Sequence, residues 1–147
     1  MMSSEKPNPH WIFWLAVLLG LLWNTVGILN YMAQMNPEKV AAMPEAYRAI
    51  IEDRPSWATV GFAVGVFAGT MGCLLLLLKK ALAGFVFMIS LIGIFVTMIH
   101  SMNVVVSSGN LSLSMIFQTI ILPIVIANLL IGLTIYAMKK DWFVVKK

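Results

Sequence analysis

Outside Tyr and Cys, His100 is the one titratable side chain within the long uncharged stretches of this 147-residue chain. An ionisable group in such a setting is the first place to look for chemistry. Ser90, Gly93, Thr97 and Ser101 share its side at helical spacing. Further polar residues stand in similar stretches, namely Asn24, Asn30 and Tyr31 near the start of the chain and Gln118 and Asn128 near its end. Amides, hydroxyls and a neutral imidazole make hydrogen bonds, either to a solute or across helices, where each is worth about 0.6 to 2 kcal/mol. The expectation is a neutral His100 bonded to Asn24 or Asn128. The six residues then form either a dry, mutually bonded core or the wall of a solute path.

The same residues argue against most catalysis. No HExxH, no pair of intramembrane carboxylates, no phosphate-cradling loop and no Ser or Cys with a plausible base is present, so no catalytic residue is assigned and an enzyme is not expected. Haem held by two histidines would need a second one in the apolar stretches, and His10 precedes the first. No metal or cofactor is expected. A proton-coupled exchanger normally carries its proton on a membrane carboxylate, and the stretches have none. The single cysteine, Cys73, reads as a small packing residue and makes an intrachain disulfide impossible.

The elements that hold these groups follow from composition. Apolar residues make up 61% of the chain and charged ones 11%, far outside the soluble range. Residues 11–32, 57–78, 81–106 and 115–138 contain no Asp, Glu, Lys or Arg. At a rise of about 1.5 Å per residue each is long enough for a hydrocarbon core of about 30 Å. The fold class expected is therefore all-α, a polytopic four-transmembrane-helix bundle in one domain. Gly61, Gly65 and Gly69, four residues apart, form a ridge that lets another helix approach closely, in the same chain or in a second copy. Pro123 predicts a kink in the fourth helix.

Charge sets the orientation. Lys6, Lys79, Lys80, Lys139, Lys140, Lys146 and Lys147 fall on one side of four crossings, and Lys39, Arg48 and Arg54 on the other. The richer side is expected to be cytoplasmic, with both termini inside and the protein in the inner (plasma) membrane. Lysines in short flanking pairs suit a lipid bilayer and not nucleic acid. Lys79 and Lys80 leave room only for a tight hairpin between the second and third spans. The sequon Asn110-Leu111-Ser112 lies too close to the membrane for glycosylation.

Residues 33–56 are the one sizeable loop, expected outside the cytoplasm. Asn36, Pro37 and Glu38 read as a helix start, and Val40, Met43, Tyr47, Ile50, Ile51 and Arg54 keep helical spacing, with Pro44 dividing the segment. This amphipathic piece is either a cap on the bundle surface or a lid over an outward-opening cavity.

The residues Trp23-Asn24-x-x-Gly27-x-x-Asn30-Tyr31, Pro44-Glu45, Pro55-x-Trp57, Gly65-x-x-x-Gly69, Lys79-Lys80 and Phe87-x-x-Ser90-Leu91 give the chain a likeness over its first three spans. It resembles a family of small, uncharacterised four-helix bacterial inner-membrane proteins that often carry the label sugar transporter. That resemblance implies a transporter by label alone. Members often have an acidic residue before the tyrosine, where this chain has Asn30, so proton coupling there is not implied. The function expected from the residues is a non-enzymatic accessory or helix-packing component, working with another membrane protein or a second copy. The alternative is a permease for a small neutral solute such as a sugar.

Overall fold

Each long uncharged stretch becomes a helix because, in lipid, only a helix satisfies its own backbone polar groups. The computed structural model describes residues 8–109 and 113–143. Lys6, Lys146, Lys147 and the sequon at Asn110 lie outside the described residues. Among the described residues, four helices are long and apolar enough to cross a membrane. They are α1 (Trp11–Gln34), α4 (Ser56–Leu77), α5 (Ala83–Ser108) and α6 (Leu113–Lys139), and the short α2 (Pro37–Ala41) and α3 (Glu45–Glu52) join the first two. The chain is thus an all-α, multi-pass membrane protein.

α4 and α5 form the central pair. The glycine ridge explains their closeness, and its partner lies in the same chain. A Cβ added to Gly93 of α5 would stand 2.6 Å from both Gly61 O and Gly65 N, backbone against backbone. Ser90 Oγ donates to Gly65 O at 2.6 Å and Thr97 Oγ1 to Ala58 O at 3.0 Å, so two hydroxyls of α5 bond directly to the backbone of α4. Gly69 serves a different neighbour as well, since its missing Cβ makes room for the Asn24 amide of α1. α1 lies on α4 and α6 on α5, and α1 meets α6 only thinly.

The loops have clear physical causes. Asn36 caps α2, its Oδ1 accepting from the N–H groups of Glu38 and Lys39 at 2.9 and 3.3 Å, with Pro37 at the first helical position. Pro44 stands just before α3, dividing the loop helices as expected. At the other end of the bundle, Lys79 N–H donates to Leu76 O and Lys80 N–H to Leu75 O, while Lys79 adopts a φ of 53°. Asp141 repeats the pattern after α6, with φ 54° and bonds from Asp141 N–H to Met138 O and Trp142 N–H to Ala137 O. Both are Schellman endings built without glycine.

The kink expected at Pro123 takes the form of a π-helical turn, Phe117–Ile121, just before the proline. A proline ring presses on the carbonyl four residues earlier, here that of Thr119, and lacks an N–H of its own. Leu122 N–H reaches instead to Phe117 O, widening the turn where that pressure falls.

Two apolar cores result. The larger, at the terminal end, gathers Phe13, Val17, Cys73, Leu76, Phe87 and Leu130. The smaller joins Ile50 of α3 to Val105 of α5 and Met115 of α6.

Candidate functional site

Between the two cores lies a cavity of about 500 Å³. It occupies the space where α1 and α6 stand apart, in the half of the bundle that carries α3. α1 contributes Trp23, Asn24, Gly27, Asn30 and Gln34, and α3 contributes Tyr47, Ile50 and Ile51. α4 and α5 add Phe62, Val66, Thr97, Met98 and Ser101, and the π turn of α6 with its flank adds Gln118, Thr119, Leu122 and Pro123. Arg54 completes the wall. A volume of this size falls in the range of small-molecule sites, and a largely apolar lining with a few polar groups is their usual make-up.

The polar groups are arranged in two sets. One runs from α1 to the start of α4. Gln34 Nε2 donates to Asn30 Oδ1 at 3.3 Å, and Arg54 Nη1 donates to Gln34 Oε1 at 2.7 Å. Arg54 Nε reaches Thr59 Oγ1 at 3.2 Å, and its guanidinium lies over the Phe62 ring, 5.6 Å from the centroid. Burial lowers the Arg54 pKa from its ordinary value by removing water from the charge. A guanidinium nevertheless stays protonated across physiological pH.

The second set ties α3 down. His100 Nε2 lies 3.0 Å from Ile50 O, and Tyr47 Oη donates to Gln118 Oε1 at 3.1 Å. Gln118 Nε2 in turn donates to Ser114 Oγ at 3.2 Å. α3 is thus fastened to α5 by one bond and to the π turn of α6 by another, so it covers the cavity as a lid. The Trp57 ring stands edge-on to the imidazole at 6.3 Å.

The six polar residues singled out in the sequence therefore do not form one cluster. Asn24, Asn30 and Gln118 line the cavity; Tyr31, His100 and Asn128 do not. His100 bonds to Ile50 O, which corrects the expected pairing with Asn24 or Asn128. It is 8% exposed, and its geometry makes it a lid fastening. Asn24, also 8% exposed, donates from Nδ2 to Gly20 O at 2.8 Å and lies within 3.9 Å of Cys73 Sγ. Asn128 is exposed on α6 and donates to Ile124 O at 2.9 Å within its own helix. Tyr31 packs edge-on against Phe62 and Phe67. The dry, mutually bonded core is absent among these residues.

Beneath Asn24 a void of about 20 Å³ continues toward Gly69, Phe87, Ser90 and Leu130, room for about one water molecule. The larger core closes the way beyond it. Among the described residues no three His, Cys, Asp or Glu side chains come together to hold a metal.

Sequence reasoning missed Arg54, Gln34 and Thr119 as site residues. A signal for the first was present: Tyr47, Ile50, Ile51 and Arg54 keep the spacing of one helical face, and all four line the cavity. Compared with family models, with characterised proteins and with solved structures, the chain has no match.

Proposed function

We propose that this chain is a non-enzymatic membrane protein that binds a small polar solute in the α3-covered cavity and passes it across the bilayer. The observation that carries the reading is the cavity itself, about 500 Å³ between two apolar cores, with amides, hydroxyls and one guanidinium on its wall. A helix-packing component needs no such space. Amides together with the aromatic residues Trp23 and Phe62 on the wall also suit a sugar-like solute, in keeping with the transporter label of the family the sequence resembles. No carboxylate stands among the described lining residues, so the transport proposed is facilitated, without proton coupling through one.

The α3 side of the bundle is proposed to face away from the cytoplasm, on the strength of the lysine distribution. Solute then enters from outside by release of α3, and the larger core must part to let it through. The π turn beside Pro123 is the place where α6 is least committed to regular helix, and it carries Gln118.

The test is a thermal-stability screen of the purified protein against sugars, sugar acids, sugar phosphates and amino acids. At least one class should raise the melting temperature by several degrees. The shift should vanish in Ile51→Trp, which fills the cavity from the lid, and uptake of that compound into reconstituted vesicles should be lost with it. If no class stabilises the protein and Ile51→Trp melts like the parent, the accessory reading replaces this one.

A further inference from the structure

Arg54 is the only charged side chain among the described residues that line the cavity. Among the described residues no acidic side chain pairs with its guanidinium, although Glu52 and Asp53 precede it in the chain. Gln34 and Thr59 take two of its N–H groups and Phe62 offers a ring face. The one ion pair among the described residues joins Arg48 to Glu52 at 4.0 Å, elsewhere on α3. A guanidinium has five N–H donors in a planar fork, so three remain. A half-buried cation that faces a cavity without a counterion is under-compensated, because amide and aromatic contacts replace only part of its lost hydration. The group that best completes it is a carboxylate or phosphate, whose oxygens match the fork. Gln34 fixes the guanidinium from the α1 side and Thr59 from the α4 side, so the fork is held in place before any ligand arrives.

We propose that the cavity's ligand carries an oxyanion, a phosphoryl or carboxylate group, that pairs with Arg54 while the rest of the molecule lies against Trp23, Asn24 and Gln118. The assignment rests on the solute-binding reading above and narrows it from polar solutes in general to anionic ones. The oxyanion belongs either to a soluble compound entering past the lid or to a phospholipid headgroup entering between α1 and α6, which meet only thinly at this level.

Three matched hexoses separate these cases. Glucose, glucuronate and glucose 6-phosphate keep the same pyranose ring and differ at C6 in charge, and melting of the purified full chain is followed with each. Glucuronate or glucose 6-phosphate should raise the melting temperature where glucose does not. The shift should be lost in Arg54→Gln and kept at weaker affinity in Arg54→Lys. Should Arg54→Gln fail to fold, the parent protein still decides the matter, since an oxyanion's apparent affinity should fall several-fold between low and high sodium chloride while that of a neutral sugar should not. The lipid source is tested in nanodiscs. Stabilisation by phosphatidylglycerol over phosphatidylcholine, lost in Arg54→Gln, together with indifference to the soluble anions assigns the oxyanion to a headgroup. Equal stabilisation by glucose in the parent and in Arg54→Gln overturns the oxyanion and leaves the solute site standing. Indifference to all three sugars and to both lipids overturns the oxyanion, and the solute site is then decided by the wider screen with Ile51→Trp.

Discussion

Single residues carry the fastenings of the lid. Replacing His100 by Leu leaves Ile50 O without its partner, and an unsatisfied buried carbonyl costs about 1 to 3 kcal/mol. Loss of one fastening should be felt first in α3. We therefore expect His100→Leu to lower the melting temperature and to speed amide hydrogen exchange over Glu45–Glu52 more than in α4 or α5. Equal acceleration everywhere would mean that His100 supports the bundle as a whole. Asn24 answers to different partners, Gly20 O and Cys73 Sγ. In a double-mutant cycle the stability effects of Asn24→Leu and His100→Leu should accordingly add within about 0.5 kcal/mol. A coupling of several times that size would place the two in one network after all. None of this pairing is legible in the sequence. Ile50 and His100 are fifty positions apart, and Asn128, which looks just as buried when read as a letter in an apolar run, satisfies itself on an exposed face through Ile124 O.

Between helices, the glycines differ in what surrounds them, and that difference ranks their substitutions. At Gly93 a methyl group meets only backbone, Gly61 O and Gly65 N, neither of which can turn aside. At Gly65 the nearest atoms are Ile94 Cγ1 at 3.2 Å and Ile94 N at 3.4 Å, tight contacts that need a shift of only a few tenths of an ångström. At Gly132 nothing lies within 4 Å. Overpacking a close contact costs about 1 to 3 kcal/mol, whereas Gly to Ala on an open helix face gains up to about 1 kcal/mol. Thermal melting should therefore place Gly93→Ala lowest, Gly65→Ala between and Gly132→Ala at or above the parent. A Gly93→Ala protein as stable as Gly132→Ala would rule out the close α4–α5 crossing. The helices themselves were readable from the charge-free runs, because hydrocarbon excludes Asp, Glu, Lys and Arg whatever the tertiary arrangement. Gly61, Gly65 and Gly69 announced a close approach, but a ridge does not name its partner. Only the structure shows Gly93 facing the first two and Asn24 facing the third. Pro123 likewise signalled irregularity without saying that a π turn would supply it.

For the molecule as a whole, the arrangement of two cores with a cavity between them predicts that access depends on α3. Tyr47 and Gln118 bond tip to tip through long side chains, so cysteines at the two positions stand too far apart for a disulfide and should be joined by a short bis-maleimide. The cross-linked protein should bind solute at least tenfold more slowly than the same variant left unlinked. Unchanged binding after locking would mean entry by another route, such as the gap between α1 and α6. The amphipathic spacing of Tyr47, Ile50, Ile51 and Arg54 allowed a lid as well as a surface cap. What the spacing lacked was the cavity, which exists only because α1 and α6 diverge, a relation between helices at opposite ends of the chain. The α4–α5 pair has a consequence for how the molecule comes to exist. Its two helices are neighbours along the chain, joined through Lys79 and Lys80, and they touch backbone to backbone. Contacts so local close with little loss of chain entropy. During synthesis the pair can thus assemble as soon as both helices have entered the bilayer, before α6 has been made, and later serve as the template on which α1 and α6 settle. In rising concentrations of dodecyl sulfate the order should reverse, with amides of α1 and α6 exchanging first and those around Gly65 and Gly93 last.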